Sequence, residues 1–201
     1  MRIIISGGAA IDPDILTFFN DLGFIAIQGY GLTECAPLAI INHDRLHLAE
    51  SVGEPIPGSE AKILDPDENG VGEICVKGDT VMLGYYKNEE ATKEVLDDDG
   101  WYHTGDLGYI DEDGYAHITG RKKNVIITKN GKNVFPEELE YYLSTIPFVQ
   151  ESFVFGQEIL GALDHAHTCG VFIHKAEGHD CAAQITVNDL HADLQLLFLH
   201  Q

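Results

Sequence analysis

The sequence predicts a mixed α/β plus α+β fold: the end of a parallel αβ sandwich, a small antiparallel β-barrel-like region, and a small α+β domain that begins near Gly120. Three observations predict it. The chain opens with a strand, a helix and a strand in that order, which is what a parallel sheet covered by helices produces. From Val52 the texture changes to short strands separated by turns rich in Asp, Asn and Gly, the pattern of an antiparallel sheet or barrel. After Gly120 a basic hairpin leads into a helix opened by Pro136 and then a returning strand.

Taken in order, Ile3 to Ile5 is a short apolar strand. Asp12 then supplies an N-cap and Pro13 a first-turn proline for a helix that runs to about Leu22 and stops before Gly23. Phe24 to Gln28 forms the second strand. Ala61–Leu64, Glu73–Lys77, Gly108–Ile110 and Tyr115–Thr119 are the short strands, broken by Asp-Pro-Asp-Glu-Asn-Gly and Asp-Glu-Asp-Gly turns. Between them Asn88 caps a helix to about Leu96 with its acids at the favourable end. Val125 to Thr128 and Val134 to Phe135 pair around Lys129 to Lys132, Pro136 opens a helix to Ser144, and Ser152 to Phe155 returns against it. A strand near Gly170 to Ile173 and a terminal helix capped by Asn188 complete the reading.

With 201 residues, 44% of them hydrophobic, the chain can bury a real core. Its formal charge of −21 repels phosphate backbones and anionic membrane surfaces at long range, so nucleic acid is excluded as a partner and membrane contact is at most peripheral. The exception is local: Arg121, Lys122, Lys123, Lys129 and Lys132 concentrate positive charge in one window able to hold an anion. The four cysteines lack Cys-x-x-Cys spacing, and the first ten residues are too short an apolar run for a signal sequence, which predicts a cytoplasmic protein.

Two glycine-bearing stretches follow the first two strands. Ser6-Gly7-Gly8-Ala9 lets the flat face of a ligand approach the backbone, though alone it reads as a plain strand-to-helix turn. Gln28-Gly29-Tyr30-Gly31-Leu32-Thr33-Glu34 combines an aromatic face, a hydroxyl and a carboxylate between flexible flanks. Further on stand Gly100-Trp101-Tyr102-His103-Thr104-Gly105-Asp106, and then Gly120-Arg121-Lys122-Lys123-Asn124-Val125-Ile126 followed by Pro136-Glu137-Glu138-Leu139-Glu140. Individually, Tyr30 reads as core, Glu34 as a solvated acid and Asp106 as a turn residue.

In combination and in this order, the four motifs resemble the adenylate-forming (AMP-binding) superfamily, most closely long-chain fatty acyl-CoA synthetases, from Arg2 to about Gly156. The resemblance implies that Gly7, Gly8 and Ala9 lie against adenine and that Tyr30, flanked by Gly31, stacks on it. It implies that Thr33 bonds the α-phosphate, that Glu34 helps hold Mg²⁺, that Asp106 and Arg121 take the ribose hydroxyls, and that Lys123 is the pivot of a mobile domain. The loop of Gly131 and Lys132 would face the CoA side. Domain expectations follow: 1–50 the end of the large AMP-binding αβ subdomain, 51–119 the barrel-like subdomain, 120–123 a hinge, and 124–201 the mobile α+β domain, with 157–201 atypical for the family.

The implied reaction converts a fatty acid, ATP and CoA to acyl-CoA through an acyl-adenylate. Two family parts are not found in the chain: the Ser/Thr/Gly-rich phosphate loop, expected upstream in a missing N-terminal portion of the same enzyme, and the late lysine, for which Lys175 in Ile-His-Lys-Ala is no match. The expectation is therefore a partial chain with little or no turnover by itself, and a tail from Gln157 that is frame-shifted or truncated. The alternatives are a non-catalytic AMP or acyl-adenylate binding module, a truncated remnant, and an adenylation domain for another carboxylic acid. His165, His167 and Cys169 alternate but make a poor metal site.

Overall fold

The computed structural model describes residues 3–9, 11–43, 49–127, 133–146, 149–158, 167–175 and 180–181, with backbone alone at 150, 157, 158, 167–175, 180 and 181. The chain divides into two compact units, Met1–Lys122 and Lys123–Gln201.

In the first unit, β1 (Ile3–Ser6) and β2 (Ile25–Tyr30) run parallel, Ser6 opposite Gln28, with helix α1 (Pro13–Asp21) between them. Asp12 caps α1 by accepting from the Asp14 amide at 2.9 Å, and Pro13, which has no N–H to lose there, begins the first turn. Leu16 is 1% exposed and anchors the helix. Asn20 pins it to β2: its amide donates to the Ala26 carbonyl and its carbonyl accepts from the Ala26 N–H, both at 3.1 Å. Two strands of two residues each, β3 (Ile40–Ile41) and β4 (Glu54–Pro55), then extend the sheet antiparallel in the order β1-β2-β3-β4. Neither is legible in the sequence, being too short for any alternation to register.

A second sheet is a four-stranded antiparallel meander of β5 (Ser59–Leu64), β6 (Gly72–Gly78), β7 (Tyr102–Ile110) and β8 (Ala116–Arg121), in that order. It is the antiparallel sheet rather than the barrel of the two forms that the turn-rich texture allows, with β5 and β8 at opposite edges. The edge of β8 meets the first sheet instead: the Val52 N–H donates to the Ala116 carbonyl and the Ala116 N–H to the Gly53 carbonyl, both at 2.8 Å. One core, with Cys35, Ile40, Val52, Ile74, Val76 and Ala116, lies beneath both sheets. Between β6 and β7, α2 (Glu89–Val95) begins where Asn88 accepts from the Ala91 N–H at 3.1 Å.

The second unit pairs β9 (Ile126–Ile127) antiparallel with β10 (Asn133–Val134), opens α3 (Pro136–Ser144) at Pro136, and continues into a sheet of β11 (Val149–Glu158), β12 (His167–Lys175) and β13 (Asp180–Cys181). Its core is Ile126, Val134, Leu139, Leu143 and Val154. Glu140 of α3 accepts from the Val154 N–H of β11 at 2.8 Å, so a helix side chain holds the strand as well as covering it. The tip of the basic hairpin, with Lys129, Gly131 and Lys132, lies outside the described residues, as do His165 and the terminal helix expected after Asn188; for His167 and Cys169 the backbone alone is described. Among the described residues no helix is long and apolar enough to cross a membrane.

Candidate functional site

At the carboxyl ends of β1 and β2 the first two glycine motifs come side by side. Gly7 leaves β1 so close to β2 that a Cβ there would stand 3.1 Å from the Gly29 carbonyl, and Gly8 turns with φ +87°. Gly7, Gly8 and Ala9 are all exposed. The loop that follows them is fastened below, where the Ile11 N–H donates to the Gln28 side chain at 3.3 Å. After β2 the chain passes so near its own return that a Cβ on Gly31 would lie 1.8 Å from the Pro37 carbonyl oxygen, so only glycine fits.

Tyr30 ends β2, and its hydroxyl donates to Asp106 Oδ2 at 2.6 Å. Arg121, the last residue of β8, donates through Nε to Asp106 Oδ1 at 2.9 Å and sits opposite Asp106 in the β7–β8 register. Three residues far apart in sequence thus form one hydrogen-bonded set, centred on a carboxylate that is 5% exposed. Burial pushes the Tyr30 phenol far above its ordinary value and the bond to Asp106 adds to this, so Tyr30 donates as a neutral phenol. The Arg121 side chain is 62% exposed, which leaves the rest of its guanidinium facing solvent.

Asp106 departs from the turn residue that its motif suggests in isolation: it lies within β7, which begins at Tyr102, well before the strand start expected at Gly108. Nor are its oxygens simply open to a vicinal diol. Each already accepts from a protein donor, and a carboxylate's remaining lone pairs would have to bond a sugar beside Tyr30 and Arg121.

Thr33 and Glu34 fall in a 3-10 turn, Thr33–Cys35, seated on the fully buried Cys35 and closed by Ala36 in the left-handed region at φ 53°. Thr33 is exposed and partly buried Glu34 is held twice: Tyr85 donates its hydroxyl to Glu34 Oε1 at 2.9 Å, and the Met82 N–H donates to the Glu34 carbonyl at 2.8 Å. Tyr85 also hydrogen-bonds Tyr102, and burial, followed by that bond and the Glu34 charge, pushes the Tyr102 phenol upward. Burial and the neighbouring Glu34 charge push the Cys35 thiol up to about 11, which removes it as a nucleophile. Tyr85 escapes sequence reasoning because nothing local links it to an acid so distant in the chain.

A hard ion suits the Glu34 setting, since one carboxylate can share Mg²⁺ with phosphate oxygens and water. Among the described residues no group of three or more His, Cys, Asp or Glu could hold a metal unaided. Lys123 is exposed and is the first residue of the second unit.

Residues 1–86 match the family model described as AMP-binding enzyme. A long-chain-fatty-acid–CoA ligase of Salmonella typhimurium is 47% identical over 135 residues, covering 64% of this chain and 24% of that protein. The chain belongs to the adenylate-forming, AMP-binding superfamily.

Within that superfamily its relatives differ in substrate. FadD15 of Mycobacterium bovis, a long-chain-fatty-acid–CoA ligase, is 41% identical over 165 residues, covering 81% of this chain and 26% of its own length. A feruloyl-CoA synthase from an Amycolatopsis species is 39% identical over 166 residues, with 78% and 33% covered. Among solved structures, the acyl-adenylate complex of o-succinylbenzoate CoA synthetase (MenE) from Bacillus subtilis aligns with a TM-score of 0.81 and 27% identity, across 100% of this chain and 40% of that one. ATP-bound MatB from Rhodopseudomonas palustris aligns at 0.75 and 35% identity, across 89% and 36%. The chain therefore spans only about a quarter to a third of the length of the curated relatives it matches.

Proposed function

We propose that the chain carries the nucleoside monophosphate site of an acid–CoA ligase, in which a carboxylic acid is activated as an acyl-adenylate before transfer to CoA. The observation that carries this reading is the bonded set of Tyr30, Asp106 and Arg121 beside the exposed Gly7–Gly8 turn. Adenine would lie between that turn and the Tyr30 ring, whose hydroxyl is already committed to Asp106, so the ring face is held at a set angle. Asp106 and Arg121 would hold the ribose, and Thr33 the α-phosphate. Mg²⁺ bound by Glu34 would neutralise charge on the phosphates. Tyr85 fixes the Glu34 side chain, and so sets where the ion would sit. The domains are proposed to meet at 120–123, with Lys123 as pivot and the Gly131–Lys132 loop toward CoA.

In the reaction, a carboxylate oxygen of the acid bonds to the α-phosphorus of ATP as pyrophosphate leaves. The CoA thiolate then attacks the acyl carbon and AMP departs. AMP is the better leaving group, which is why the acid is activated first. A long-chain fatty acid is the substrate we favour, supported by the higher identity to ligases of that name than to the feruloyl-CoA synthase. Activation of another carboxylic acid is the second reading, favoured by the range of acids in the relatives' names.

Calorimetry of the purified chain with AMP tests the site. Binding at submillimolar to millimolar concentration is expected, and an absence of heat at millimolar AMP removes the reading. Pyrophosphate exchange by the whole protein, faster with palmitate than with ferulate, tests the substrate.

A further inference from the structure

Glu73 lies in β6, flanked by Gly72 and Ile74, and is only 8% exposed. A carboxylate in such a place is costly unless both its oxygens find partners. They do: Oε1 accepts from the Gly105 N–H at 3.0 Å, and Oε2 accepts from Lys122 Nζ at 2.8 Å. Burial alone raises the Glu73 pKa, but Lys122 and the Gly105 N–H outweigh it and the carboxyl ends below its ordinary value.

The partners matter because of where β7 breaks its ladder. Glu73 pairs with Leu107 and Cys75 with His103, so Thr104, Gly105 and Asp106 together bulge opposite Ile74 alone. A second irregularity falls between Leu107 and Gly108 on the β8 side. On the β6 side Asp106 therefore has no regular strand partner, although it still pairs with Arg121 on the β8 side, and Gly105 carries φ +72°, the left-handed region. Side chains hold the bulge instead. Thr104 Oγ1 donates to the Ile74 carbonyl at 2.7 Å and accepts from the Asp106 N–H at 3.1 Å. Glu73 takes the Gly105 N–H, while the Gly105 carbonyl accepts from the Lys122 N–H at 2.9 Å. A ring closes from Glu73 through Gly105 and Asp106 to Arg121, and through Lys122 back to Glu73.

We propose that Glu73 is a positioning residue of the nucleotide site: its carboxylate holds the β7 bulge at Gly105 and the end of β8 at Lys122, and thereby aims Asp106 and Arg121 at the ribose hydroxyls. This rests on the nucleotide reading above. Glu73 touches no nucleotide itself; it acts through the two residues that would.

The test compares AMP with 2′,3′-dideoxyadenosine monophosphate, which lacks both hydroxyls, by calorimetry on the full chain. The wild type is expected to prefer AMP. In Glu73→Leu, similar in size but without an acceptor, AMP weakens about tenfold, the worth of one well-made hydrogen bond, and falls to the level of the dideoxy ligand, whose own affinity stays put. Glu73→Gln, whose carbonyl still accepts from Gly105, restores most of the preference. Equal loss of both ligands in Glu73→Leu, or an unchanged preference, overturns the proposal. A wild type that binds neither ligand overturns the nucleotide reading instead. Should Glu73→Leu fail to fold, NMR of the wild type beside Glu73→Gln decides. The Gly105 amide resonance is expected to move further in acid in the wild type than in Glu73→Gln, which keeps the neighbouring Asp106 and His103, the latter 3.7 Å from Glu73 Oε2; equal movement in the two proteins defeats the idea.

Discussion

Replacing Tyr30 with Phe removes one hydroxyl and leaves the ring, so it deletes the 2.6 Å bond to Asp106 together with that hydroxyl's hydrogen bond with Thr104. Asp106 is buried and keeps Arg121 as its remaining side-chain donor. A hydrogen bond to a charged group contributes about 1.5–3 kcal/mol, which puts the expected loss near 2 kcal/mol at neutral pH. For a unit the size of Met1–Lys122 each kcal/mol shifts the melting temperature by about 3–6 °C, so thermal unfolding followed by circular dichroism should move down by about 6–12 °C. The pH dependence has a definite sign. Folding raises the Tyr30 pKa above its ordinary 10.0, so its contribution is complete below that value and declines as pH rises past it, where only the unfolded chain sheds the proton. Tyr85 and Tyr102 are raised too, but both proteins contain them and they cancel in the difference. The gap between wild type and Tyr30→Phe should therefore narrow above about pH 10. A variant that melts within about one degree of wild type at neutral pH, or a gap that stays constant in strong alkali, refutes the reasoning.

Two further substitutions probe the frame that carries the site. Gly31→Ala would place a Cβ 1.8 Å from the Pro37 carbonyl, a clash with backbone that no rotamer relieves, and should abolish a cooperative first-unit melt while leaving Gly8→Ala, which meets nothing within 4 Å, the milder change. Leu16→Ala empties a site that is 1% exposed and should cost about 2–5 kcal/mol by urea titration, with an unaltered slope.

The elements most legible in the sequence are those whose signals are local. Pro136 followed by acids marked α3, and the structure has it running to Ser144 as read; Asn88 marked α2 in the same way. Strand β7 was half hidden, because Gly105 and Asp106 carry turn chemistry, and the strand passes through them only by bulging and by borrowing side-chain partners from β6 and from Thr104. The two-residue strands β3 and β4 have no pattern at all, and β4 even contains Pro55. At the site, the residue types were readable but their bonds were not. That Tyr30 and Arg121 both commit to Asp106, that Tyr85 holds Glu34, and that Glu73 matters at all, are consequences of tertiary approach across most of the unit.

The paired bonds between Ala116 and the Val52–Gly53 segment act as a rivet between the two sheets, joining stretches that are themselves far apart in sequence. Because β8 begins at that rivet and ends at Arg121, loosening either sheet also slackens the strand that presents the arginine. Met1–Lys122 should consequently lose both sheets in one step under denaturant, with amide protons of Val52 and Ala116 exchanging only when the whole unit opens.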